Sequence, residues 1–266
     1  MKPFILTPAA GKRLIAKGML KHEAVLSALQ AGNLVIIAGT TNGYVAEEIL
    51  KSIGQSEGFE RQRFFRGITT PPHLVTTDMG RLPDESRFPG DVVIRQGKWL
   101  KGKTIFDVVD ELKEGDVILK GANAYDPRTK QAGILIGHPK GGTIVASLQA
   151  VVGRRVRLIL PVGLEKRTHV ELHELALSLN RPGSKGVRFL PVPGEVVTEI
   201  EALKLLAGIE VTLMGGGGVC GAEGAVWLGV EGPEAEVAKA AEMIAAVAGE
   251  PPFTLSVEKQ GLSPAP

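Results

Sequence analysis

Two loops with ligand-binding character follow each other closely: Gly121-Ala-Asn-Ala-Tyr-Asp-Pro127 and His138-Pro-Lys-Gly-Gly-Thr143. The first carries an amide, Asn123, and a carboxylate, Asp126, which is a candidate acid/base. The second sets Lys140 beside Gly141, Gly142 and Thr143, where a cation can meet a phosphate or a developing oxyanion. A third loop, Gly39-Thr40-Thr41-Asn42-Gly43, lies between an apolar run and an amphipathic stretch. A strand, a Gly/Thr turn and a helix make an anion site, because the free N–H groups of the first helical turn point at the turn. A plain βα turn is the alternative, since the loop has neither a Walker lysine nor a full GxGxxG.

Other residues invite chemical readings. Met214-Gly-Gly-Gly-Gly-Val-Cys-Gly-Ala-Glu-Gly224 is rich in glycine, which lets backbone approach a ligand or form an anion nest, and it contains Glu223. A floppy hairpin tip is the competing reading. Cys220 has no nearby histidine or cation in sequence and reads as unreactive. His169 and His173 are spaced as on one helical face, with Glu165 or Glu174 as a third ligand if a metal bound; two solvated histidines are the preferred reading, and no metal or other cofactor is expected.

These loops need elements to hold them. Asp116–Lys120, Gly133–Gly137 and Arg155–Leu160 read as strands, with a helix over Ile144–Val152. Upstream, residues 7–20 and 22–31 read as helices, Asn33–Ala38 as a buried strand and Tyr44–Ile53 as a helix. Asp91–Leu100 reads as a hairpin around Gly97, and Thr104 caps a helix reaching Leu112. Residues 55–90 are harder to assign: 59–66 fits a strand or a helical turn, and 69–73 and 82–85 are loop-like and border a site. His169–Leu179 reads as a helix, then Asn180–Gly186 as a linker. Beyond it the pattern is strand 187–192, helix 195–206, strands 209–214 and 225–230, helix 233–247 and a strand at 253–257, a βαββαβ order.

The 266 residues suffice for one large domain or two modest ones. Hydrophobic residues make up 44% and aromatics 5%, which suits an aliphatic α/β core. A net charge of +2 gives no case for nucleic acid or an anionic membrane. The arginine clusters at 61/63/66 and 154/155/157 read first as solvated faces and second as anion contacts. A single cysteine rules out an intrachain disulfide and a thiolate metal cluster. Neither a signal-peptide core nor a membrane-length apolar run is present, so a cytoplasmic protein is the expectation.

Gly121–Pro127 followed by Lys140-Gly-Gly-Thr143 resembles the core of the NagB/RpiA/CoA-transferase-like superfamily, with ribose-5-phosphate and methylthioribose-phosphate isomerases nearest in pattern. The resemblance covers roughly residues 20–170. It implies a Rossmann-like, mostly parallel sheet, a phosphate turn at Gly39-Thr40-Thr41, and a lysine after a sheet strand at Lys166. A smaller ferredoxin-like domain also occurs in ribose-5-phosphate isomerases. The expected organisation is therefore an α/β protein with a Rossmann-like domain over 1–186, a ferredoxin-like α+β domain over 187–258 and a tail over 259–266. The chain departs from the isomerases where their carboxylates stand: it has Asn123 and Ala124 for Asp-Glu, Lys120 for the preceding aspartate, and Gln149 for the helix glutamate. An amide keeps the hydrogen-bonding geometry but is no base near neutral pH.

The resulting expectation is a protein that binds a small anionic, phosphosugar-like metabolite, with little ribose-5-phosphate isomerase turnover. Gly39, Thr40, Thr41, Asn42, Gly121, Asn123, Lys140, Gly141, Gly142, Thr143, Gln149 and Lys166 are its candidate contacts, and the loops at 39–43, 121–126 and 140–143 are expected to meet at one pocket. Two alternatives stay open. One is an active sugar-phosphate isomerase or CoA-transferase-like enzyme drawing on Lys140, Asp126 or Glu223. The other is a structural or interaction module that self-associates as a homo-oligomer through the glycine-rich part.

Overall fold

The computed structural model describes residues 1–66, 69 and 88–254. The elements in chain order are β1 (Lys2–Leu6), α1 (Pro8–Met19), α2 (Glu23–Ala31), β2 (Asn33–Ile36), α3 (Thr40–Ser52), β3 (Val92–Arg95), β4 (Lys98–Trp99) and α4 (Ile105–Val108). They continue with β5 (Val117–Leu119), β6 (Ala124–Asp126), β7 (Gln131–Ile136), α5 (Gly142–Arg154), β8 (Arg157–Pro161) and α6 (Leu172–Asn180). The last are β9 (Arg188–Val192), β10 (Glu195–Val197), α7 (Glu199–Ala207), β11 (Glu210–Gly216), β12 (Val226–Glu231) and α8 (Glu234–Ala245).

A six-stranded sheet in the order β10-β8-β5-β2-β3-β4 forms the centre. The four strands from β10 to β2 run parallel, and β3 and β4 complete the sheet antiparallel. Leu34–Ile36, Val117–Leu119 and Leu158–Leu160 are buried, as continuous apolar runs covered on both faces should be. Gln96 and Gly97 both take positive φ (48° and 75°), the two-residue geometry that matches the twist of a tight hairpin between β3 and β4.

Helix α1 starts at Thr7, whose hydroxyl accepts from the Ala10 N–H, with Pro8 in the first turn. It packs against α3 and α7. Gly18 makes the second approach close, since a Cβ there would lie 2.9 Å from Ala202. One apolar core runs from Leu6 to Val247 through all these layers.

The expected βαββαβ unit over 187–258 does not close into a sheet of its own. β9 pairs with β7 in a sheet ordered β6-β7-β9, whereas β11 and β12 join β1 in a sheet ordered β1-β12-β11. The segment expected to be helical from 195 first forms β10, which extends the central sheet beside β8, before α7 begins. Residues 253–254 are not in a strand, and the remainder of the strand expected there lies outside the described residues, as does the tail at 259–266. Most of the loops expected at 69–73 and 82–85 also lie outside them. Gly121–Pro127 is not all loop: β6 forms within it and pairs antiparallel with β7. β7 therefore belongs to an antiparallel sheet and not to the parallel one.

Helix α3 begins at Thr40, four residues before the expected start, so Thr40–Gly43 form its first turn and not a loop ahead of it. No helix among the described residues is long and apolar enough to cross a membrane.

Candidate functional site at the carboxyl edge of the parallel strands

The carboxyl ends of β2, β5, β8 and β10 carry a row of charged groups. At β2 the chain passes through Ala38 and Gly39 into α3. Asp91, fully buried just before β3, holds this point: its carboxylate accepts from the Ala38 N–H (2.9 Å) and from the Ile105 N–H that opens α4 (2.8 Å). The Arg66 guanidinium lies 3.7 Å from the same carboxylate. Buried Asn42 donates through its amide nitrogen to the carbonyls of Ile37 (2.8 Å) and Leu119 (3.0 Å), fastening α3 to β2 and β5.

Lys120 follows β5 directly. Part of its surface is exposed, and its ammonium makes no hydrogen bond or ion pair among the described residues. Burial is the main force on its pKa. Asp91 opposes it, Arg66 and Lys166 add to it, and the amine falls to about 8. The next residue, Gly121, has no atom of the described residues within 4 Å of where a Cβ would point.

At the end of β8 a short turn, Leu164–Lys166, carries two more charges. Lys166 donates to the carbonyl of Ala122 (2.8 Å). Its pKa is lowered, first by burial and also by Lys12, against the pull of Glu165 and Glu199. Glu165 pairs with Lys12 at 2.8 Å. Burial alone would raise Glu165, but Lys12 and Lys166 outweigh it and hold the carboxylate below its usual range. Its Oε2 is buried without a hydrogen-bond partner among the described residues. Glu199, at the start of α7, is 1% exposed and accepts from the Leu164 N–H (2.9 Å). Burial, with the charge of Glu165, raises it to about 7. Two carboxylates thus share one turn, one held ionised and the other able to keep its proton near neutrality.

Of the expected contacts, Gly39, Thr40, Thr41, Asn42, Gly121 and Lys166 fall on this edge. Asn42 already serves as a clamp, and the buried Thr41 hydroxyl has no partner among the described residues. Asn123 turns into the β6–β7 hairpin, where its side-chain oxygen accepts from the Leu135 N–H (3.0 Å). Asp126 accepts from the Arg128 backbone and guanidinium and from the Thr129 hydroxyl, and Arg128 above all lowers its pKa. It is an ionised turn residue. Lys140 is exposed, Gly141 and Gly142 take positive φ ahead of α5, and Gln149 is exposed on α5. No hydrogen bond or ion pair among the described residues joins 140–143 or Gln149 to Lys120 or Lys166.

Glu223 is exposed and accepts from the Gly221 N–H within its own loop (2.9 Å). That loop lies against the β8 turn, with Gly216 in close contact with the Arg167 guanidinium. Cys220 is exposed there with φ of 56°. Helix α6 starts at Leu172, so His169 precedes it and does not share a helical face with His173.

The edge also holds Arg66, for which an anion contact was the second reading, and four residues with no site role in the expectations from sequence: Lys12, Asp91, Lys120 and Glu199. Lys120 and Asp91 had a signal, a charge directly bounding an apolar strand. Lys12 and Glu199 had none, since a tertiary meeting of α1, α7 and the β8 turn brings them together. Comparisons with protein families, with curated proteins and with solved structures give no match to this chain.

Proposed function

We propose that the protein binds a small anionic metabolite, phosphosugar-like in chemistry, at the carboxyl edge of its parallel strands. The observation that carries this reading is Lys120, a cation with no acceptor among the described residues, flanked by Lys166 and Arg66. The first turn of α3 opens at Gly39 on the same edge, and helix N-termini favour anions. Of the nearby carboxylates, Asp91 has both oxygens engaged by backbone N–H groups and Glu165 is paired with Lys12. The four parallel strands support a Rossmann-like, NagB/RpiA-like reading, in which ligands sit outside the strand ends.

The test is thermal denaturation with inorganic phosphate, ribose 5-phosphate and ribose. A ligand that binds only the folded state raises the midpoint by mass action. Both phosphates should raise it and ribose should not, and Lys120→Met should remove most of the shift. No shift at millimolar phosphate or ribose 5-phosphate would refute the reading.

A second reading, catalysis at the same edge, is favoured by Glu165 Oε2, which is buried without a partner among the described residues, in the same turn as Lys166. It predicts isomerisation of ribose 5-phosphate by the unmodified protein and its loss in Glu165→Gln. The absence of carboxylates at Asn123 and Gln149 argues for little turnover.

A further inference from the structure

We propose that Lys120 is an amine nucleophile that captures the carbonyl carbon of an anionic aldehyde or ketone as a Schiff base. The proposal rests on the anion-binding reading above and adds a covalent step to it. Its basis is the arrangement of the nitrogen bases at the sheet edge. Lys166 is committed to the Ala122 carbonyl, Lys12 to Glu165 and to the Pro8 carbonyl, and Arg66 lies beside Asp91. The Lys120 amine has no such partner among the described residues. It stands at the end of β5, between β2 and β8, next to Gly121, where no atom of the described residues fills the Cβ position.

A lysine held among other cations favours its neutral form, and only the neutral amine attacks a carbonyl. The groups acting on it are Asp91, which favours the charged form, and Arg66 and Lys166, which with burial favour the neutral one; the net result is an amine near 8. At neutral pH an appreciable fraction therefore carries a free lone pair, against a minute fraction of an ordinary surface lysine. Lys166 and Arg66 are the neighbouring basic groups that face the ligand's phosphate or carboxylate.

The step balances without a co-reactant. The nitrogen lone pair forms a C–N bond as the C=O π pair moves to oxygen. A proton passes from nitrogen to that oxygen, giving a carbinolamine. The C–O bond then breaks with loss of one water, leaving an imine that is neutral or protonated. Hydrolysis reverses each step. Asp91 is placed to balance the charge of the protonated imine, as it does that of the ammonium.

Pyridoxal 5′-phosphate, an anionic aldehyde, serves as the probe, with borohydride to fix any imine as a secondary amine and peptide mapping to locate it. With limiting reagent at pH 7.5, Lys120 should carry most of the label in the unmodified protein. Labelling at Lys120 should rise through about pH 8, and that of surface lysines only nearer ~10. Inorganic phosphate should compete. In Lys120→Arg the total label should fall several-fold while the phosphate-induced thermal shift persists, because the charge remains. Label spread over surface lysines in the unmodified protein, with Lys120 not enriched, overturns the nucleophile whether or not any variant folds.

The two readings separate cleanly. Phosphate binding without Lys120 labelling defeats the amine and leaves the anion site. Selective labelling by pyridoxal lacking the phosphate, without phosphate competition, supports the amine and defeats the anion site. Neither signal defeats both.

Discussion

Glu165 and Glu199 meet at the same backbone turn, yet the first is held ionised and the second is raised to about 7. For Glu199 the folded-state pKa exceeds the unfolded reference of 4.5. The folded chain therefore binds the extra proton between these values. The stabilisation is complete below pH 4.5, declines as pH rises and is lost above about 7. Glu199→Gln keeps an acceptor for the Leu164 N–H and removes the titration. Relative to the unmodified protein, this variant should gain on the order of 1–3 kcal/mol between pH 5 and pH 8. Urea unfolding at the two pH values measures it, and an unchanged difference would mean that Glu199 does not titrate in this window. Lys12→Met tests the other half of the pair. It leaves Glu165 with Lys166 as its nearest cation and should cost about 3–5 kcal/mol, the penalty of an uncompensated buried charge. Adding Glu165→Gln should recover much of that loss in a double-mutant cycle, whereas additive losses would show that the two side chains do not act as a pair.

Helix α3 shows how far local sequence reaches. Its body was legible from the apolar spacing of Val45, Ile49 and Leu50. Its first turn was not, because Thr-Thr-Asn-Gly is poor in helix formers and rich in turn formers. What holds that turn is tertiary: the Asn42 amide bonded to the ends of two strands. Asn42→Ala should cost about 1–3 kcal/mol in chemical denaturation. Asn42→Asp should cost more despite its matching shape, since it turns a carboxylate toward two carbonyl oxygens; an Asp variant as stable as the Ala variant would contradict this clamp. Strand β10 was hidden for a related reason. Glu-Val-Val lies between Gly194 and the Thr198/Glu201 capping box that starts α7, and three residues give no period of their own. The strands β2, β5 and β8 and the hairpin at Gly97 were readable because an unbroken aliphatic run and a glycine after a polar residue each have one dominant structural meaning. The site was half legible. Gly39, Gly121 and Lys166 follow strands, but the charges around them arrive from α1, α7 and β3, at distances in sequence that no pattern encodes.

Across the whole molecule the C-terminal third is threaded through earlier elements. β9 completes the sheet begun by β6 and β7, β10 borders β8, and β12 pairs with β1 along Lys2–Leu6. A fragment of residues 1–186 would lose all three pairings, the Glu199 acceptor and the face of α7 on which α1 lies. Near-ultraviolet circular dichroism should show it without fixed tertiary structure, and a native-like spectrum would restore the view of 1–186 as an independent domain. The same threading bears on biogenesis. β1 leaves the ribosome well ahead of its antiparallel partner, Val226–Val230, which follows more than two hundred residues later. At ~5–20 residues per second this is a wait of roughly 10–45 s. Through that interval the nascent chain carries a short strand with an unpaired edge on both sides, two residues ahead of α1. A chaperone that shields Lys2–Leu6 as it emerges would have more effect on the yield of folded protein than one that acts on the finished chain.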